Sequence, residues 1–147
     1  MPFPPCRTDS AVTEGSFTML NLINPDTLPP PASNYSHVVE VPEGSRLAFL
    51  SGQVGIDTDG NCPDDFAGQC NQVFHNLQAA LAAVGMELSD LVRLNAYLTD
   101  AGDVGGFRDI RDKWLGDHAA ASTLVMVPAL AAPNWCVEIE AVAGRAK

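Results

Sequence analysis

A chain of 147 residues suits one domain with a real core, and 46% hydrophobic against 18% charged residues excludes a disordered tail or a fibrous repeat. Its 18 acidic and 8 basic residues give a net charge of −10, the reverse of the basic stripe with which nucleic-acid binders displace counterions. No apolar run approaches the roughly 20 residues of a membrane-spanning helix, so neither nucleic acid nor membrane is an expected partner.

Residues 1–18 have no periodicity and no charged start followed by an apolar stretch, so they read as a flexible extension rather than a secretory signal. The folded domain is expected over 19–147. TMLNLI (18–23) reads as a short first strand, and the proline-rich stretch 24–34 can continue neither a helix nor a central strand. HVVEV (37–41) and RLAFLSGQV (46–54) are predicted strands joined by a PEGS turn, with a second turn at IDTDGN (56–61).

The first helix is expected behind Pro63, capped by Asp64 or Asp65. Phe66, Cys70, Val73, Phe74, Leu77, Ala80, Leu81 and Val84 recur at three- and four-residue steps, and Gly85 stands where a left-handed terminator is wanted. LVRLNAYLT (91–99) alternates, with Val92, Leu94, Ala96 and Leu98 on one side and Arg93, Asn95, Tyr97 and Thr99 on the other. A second helix is expected from about Asp103 to Asp117, burying Val104, Phe107, Ile110, Trp114 and Leu115. TLVMV (123–127) is the next strand. WCVEIEAVA (135–143) closes the fold, with Val137, Ile139 and Ala141 on one face and Cys136, Glu138 and Glu140 on the other.

The expected order is therefore β-β-β-α-β-α-β-β, an α+β domain in which two amphipathic helices cover one face of a mixed sheet. The other face would carry Ser51, Gln53, Arg93, Asn95, Tyr97, Glu138 and Glu140. Aromatic and apolar residues mixed among these polar ones point to assembly across that face. Cys6, Cys62, Cys70 and Cys136 lack ligand spacing and read as reduced structural thiols of a cytoplasmic protein. His37, His75 and His118 are scattered singly, so neither a metal nor a cofactor is expected.

This order, together with particular segments, resembles the Rid family (reactive intermediate deaminases, also called YjgF or L-PSP proteins). ASNYSHVV (32–39) stands where the family has Gly-Pro-Tyr-Ser, LAFLSGQVGID (47–57) is similar to its Ser-Gly-Gln strand, and VEIEAVA (137–143) to its closing strand. The resemblance implies a chorismate-mutase-like fold, a homotrimer whose sheets form a central barrel, and small-molecule pockets in the clefts between subunits. It also implies hydrolysis of an enamine or imine to a keto acid and ammonia. Carried onto this chain, Tyr35 and Gly52 become substrate-binding residues, and Glu138 the catalytic carboxylate that holds or activates water.

The family's arginine, which grips the substrate carboxylate with a planar two-bond fork, is replaced here by Ser122. Losing such a contact costs on the order of 2–4 kcal/mol, so standard 2-imino acid deamination is not expected. Arg108 and Arg93 are the candidates to replace it, although Arg93 could equally pair across strands with Glu140. Three functions follow: hydrolysis of another carbon–nitrogen bond, metabolite binding without catalysis, and, last, the ribonuclease activity attached to some family members.

Overall fold

A computed structural model describes residues 18–147. The extension expected over 1–18 therefore falls, but for Thr18, outside the described residues, as does Cys6. Three-residue strands β1 (Asn21–Ile23) and β2 (Val38–Glu40) pair antiparallel as a small sheet of their own. Only the end of the expected strand 18–23 pairs, because β2 has three residues to offer and Pro42, just beyond it, has no N–H to extend the ladder.

The main sheet has the order β3-β6-β4-β5, built from β3 (Arg46–Val54), β4 (Leu91–Leu98), β5 (Ala121–Met126) and β6 (Val137–Arg145). β6 is antiparallel to both neighbours, while β4 and β5 run parallel. Helix α1 (Phe66–Ala83) links β3 to β4, and α2 (Val104–Leu115) crosses over from β4 to β5. The element order is the expected one, with six strands divided four and two between two sheets.

Local chemistry sets the boundaries. Asp65, rather than Asp64, caps α1 by accepting from the Gly68 amide at 2.8 Å, and Gly85 (φ 69°) ends it. Asp100 caps a short 3-10 turn ahead of α2 by accepting from Gly102 N at 2.7 Å. The last strand starts at Val137 rather than Trp135, because the Cys136 amide is taken by Gln69 Oε1 at 3.0 Å.

Cys70, Val73, Phe74, Leu77 and Leu81 of α1 are fully buried against Leu98, Val137, Ile139 and Ala143 of the sheet. Each of the Val, Leu, Ile and Phe side chains among these contributes roughly 1.5–3 kcal/mol on burial. Val84, expected in the stripe, is instead exposed at the helix end. α2 adds Phe107, Ile110 and Leu115, and Trp114 stacks on Phe74 at 5.9 Å between centroids. Arg111, which periodicity did not place inside, is buried over the Phe107 ring, and its Nε donates to Asp112 at 2.9 Å. A bulge between Leu91 and Arg93 corrects the expected phase of β4. Leu91 is the fully buried residue at its start, and Val92 lies half-buried as the extra one.

No described helix is long and apolar enough to cross a membrane. Among the described residues no cluster of His, Cys, Asp and Glu could hold a metal ion.

Candidate functional site

The sheet face away from the helices is open. β6 puts Glu138 and Glu140 there, in register with Tyr97 and Asn95 of β4. β3 adds Leu47, Phe49 and Ser51, and Phe49 is 79% exposed.

The two carboxylates have different surroundings. Glu140 Oε1 accepts from Asn95 Nδ2 at 3.0 Å and from Tyr97 Oη at 2.8 Å. These donors, Asn95 first, hold the Glu140 carboxyl below the ordinary glutamate range, and its acceptance in turn pushes the Tyr97 hydroxyl up. The Glu138 carboxylate makes no hydrogen bond to any described residue. Its side chain reaches across to β3 and lies on Gly52, where an added Cβ would collide with Glu138 Oε1 and stand 2.9 Å from Cδ.

The sequence explains this resting place. The β3–β6 register shifts between Leu50 and Gln53, so Ser51 and Gly52 form an irregularity opposite the carboxylates. Gln53 Nε2 bonds the Ser51 carbonyl at 3.1 Å and so serves the structure of the bend. Only a residue without a side chain at 52 leaves room for a carboxylate against the strand.

The remaining sequence candidates lie elsewhere. Tyr35 sits in the loop between β1 and β2, edge-on to His37 at 5.6 Å, with its hydroxyl 3.4 Å from the Ala32 amide. That loop is tied to the α2–β5 connection by Asn34 Nδ2 to Gly116 O at 3.2 Å and Ser36 N to Ala120 O at 3.3 Å. Ser122 is in register with core-facing Leu94 and so turns to the helix side of edge strand β5, whereas Thr123, beside Asn95, takes the open face. Arg108 projects, exposed, from α2 on the helix side. Within one chain, then, the structure joins Gly52 to Glu138 and leaves Tyr35, Ser122 and Arg108 apart.

Arg93 is the guanidinium of the open face. It donates from Nη2 to Thr123 Oγ1 at 2.8 Å, toward β5, while Glu138 leans toward β3. The Arg93–Glu140 ion pair that cross-strand pairing allows is not formed: the guanidinium turns to Thr123, and Glu140 Oε1 accepts from Asn95 and Tyr97. Alternation in β4 had marked Asn95 and Tyr97 as outward-facing, and direct registry with the two glutamates gives them their roles.

The cysteines contribute packing. Burial pushes the Cys70 thiol up to about 12 and the Cys136 thiol up to about 11, far from a reactive thiolate. Cys62, Cys70 and Cys136 are free thiols.

Comparison with known proteins covers most of the chain. The family model described as Endoribonuclease L-PSP matches residues 26–144. Protein DfrA of Myxococcus xanthus is 35% identical over 123 residues, spanning 82% of this chain and 92% of that protein. The 2-iminobutanoate/2-iminopropanoate deaminase of Mus musculus is 31% identical over 111 residues, 74% of this chain and 79% of its own. Among solved structures, YyfB of the Rid protein family from Yersinia pestis superposes with a TM-score of 0.76 at 31% identity, covering 84% of this chain and 97% of that one. RidA from an Antarctic Psychrobacter gives 0.64 at 31% identity, over 84% and 98%. On the extent of these matches, the chain belongs to the Endoribonuclease L-PSP family, the Rid or YjgF proteins.

Proposed function

We propose that this protein hydrolyses an enamine, imine or related carbon–nitrogen bond other than that of the usual 2-imino acids, using Glu138 to activate water. The observation that carries the reading is the Glu138 carboxylate resting on Gly52 with both oxygens unbonded, beside a Glu140 already committed to Asn95 and Tyr97. A carboxylate so placed can take a proton from water as the oxygen adds to the C=N carbon. The resulting carbinolamine then collapses to a carbonyl compound and ammonia or an amine. Relatives named 2-iminobutanoate/2-iminopropanoate deaminase support this reaction class.

Substrate choice follows from the missing arginine. Ser122 offers no charge to a carboxylate, Arg108 stands on the other side of the sheet from Glu138, and Arg93, though on the open face, is turned to Thr123 on β5 while Glu138 lies on Gly52 of β3. A substrate without a carboxylate beside its C=N bond suits the site better than a 2-imino acid. The reading includes a homotrimer packed through the open faces, which would cover Phe49 and Leu47 and bring Tyr35 of one subunit toward Glu138 of the next. It also includes a cytoplasmic location, supported by the free thiols.

The test is release of ammonia and carbonyl product from enzymatically generated imines. Carboxylate-free imines are expected to turn over above background, and 2-iminopropanoate at least about a hundredfold more slowly, the size of one lost charge-assisted fork. Faster turnover of 2-iminopropanoate would overturn the substrate assignment. The alternative of a non-catalytic metabolite binder is favoured by Ser122 standing where the family's arginine is expected. It would be supported by thermal shifts with small ligands in the absence of any turnover.

A further inference from the structure

Beside Glu138, the open face holds a separate recess of about 380 Å3, whose lining includes Phe49, Ser51, Arg93, Asn95, Glu140 and Val142. Its polar groups are incompletely used. Glu140 Oε1 takes both the Asn95 and the Tyr97 bonds, and Oε2 takes none from a described residue. Asn95 Oδ1, enclosed beneath the recess, has no donor among the described residues. The Arg93 guanidinium gives one bond to a neutral hydroxyl, and among the described residues no carboxylate pairs with it within 4.0 Å.

The recess thus presents one negatively charged acceptor, Glu140 Oε2, a positive fork, Arg93, and the exposed Phe49 ring. A simple amine would satisfy Glu140 but face Arg93, and a simple carboxylate would satisfy Arg93 but face Glu140. A molecule that carries both charges on groups sharing one carbon meets both. Its volume is in the range of small-molecule sites.

We propose that this recess binds a free α-amino acid as its zwitterion, with the ammonium on Glu140 Oε2, the carboxylate on Arg93, and an apolar side chain against Phe49. The site is distinct from Glu138 and Gly52 and stands whether or not those residues catalyse hydrolysis. A second copy packed across the open face would roof it.

Calorimetric titration of the full-length protein with L-leucine, isopentylamine and 4-methylpentanoate tests the assignment. L-leucine is expected to bind, and the two analogues, each lacking one charge, at least about tenfold more weakly. Arg93→Met and Glu140→Gln should each weaken L-leucine by a similar factor, with Arg93→Lys recovering part of the loss and far-UV circular dichroism confirming the fold. No heat from L-leucine, L-methionine or L-phenylalanine up to about 10 mM, equal binding of the analogues, or unchanged binding to Arg93→Met would overturn it. So would an Arg93→Met variant that dissociates the assembly while wild type binds no amino acid, since the guanidinium would then serve a subunit contact.

Discussion

The two faces of the main sheet follow opposite rules. Toward the helices, fully buried Leu94, Leu98, Val137 and Ile139 meet Phe74, Leu77 and Leu81, and the buried amide of Gln69 is satisfied by Pro63 O, Asn134 O and the Cys136 amide. On the open face, Phe49 is uncovered, Asn95 Oδ1 lacks a donor and Glu138 has no partner among the described residues. Unused polar groups and an exposed aromatic are features of surfaces that meet a ligand or another subunit. The contrast narrows further along β6, where Glu140 is held by two donors and Glu138, two residues away, by none.

Substitutions can break this contrast at several levels. On the closed face, Phe74→Ala should cost about 3–5 kcal/mol, seen as a lower midpoint in urea with an unchanged slope. A loss under about 1 kcal/mol would mean that this face is not the packed core. Next come two glycines of the β3 region. A Cβ at Gly55 would lie 2.6 Å from the backbone Cα of Gln69, which cannot swing away, so Gly55→Ala should destabilise by about 1–3 kcal/mol.

At Gly52 the obstacle is the end of a flexible glutamate. Gly52→Ala should therefore leave stability within about 1 kcal/mol of wild type while lowering hydrolysis. Equal thermal losses for the two alanines would erase the distinction between a packing glycine and a site glycine.

The smallest effect concerns acid. The folded Glu140 carboxyl titrates below its unfolded value, so its contribution to stability is present above the ordinary glutamate range and is lost as pH falls through the folded value. Glu140→Gln should show a shallower loss of stability than wild type between roughly pH 5 and pH 3. Parallel acid curves would contradict the Asn95 and Tyr97 bonds.

Much of this was legible in the sequence where periodicity had one solution. The stripe of α1 admits no strand, and the alternation of β6 fixes which side Glu138 and Glu140 share. The phase of β4 before Arg93 was not legible, because a bulge inserts Val92 without any glycine to announce it. Nor was the orientation of Ser122, since a strand at the sheet edge with Thr123, Leu124 and Val125 in succession has no clear alternation and its register comes from pairing with β4. Periodicity also could not rank the two glutamates. That ranking depends on what stands across the ladder: Asn95 opposite Glu140, and a bend at Gly52 beside Glu138.

The central claim is that the unbonded carboxylate, Glu138, activates the water. The most direct measurement compares carbonyl release from a carboxylate-free imine by wild type and by Glu138→Gln at matched thermal stability. The account predicts a fall of about 10²–10⁴-fold, the usual contribution of a positioned general base. Equal rates for the two proteins would contradict it.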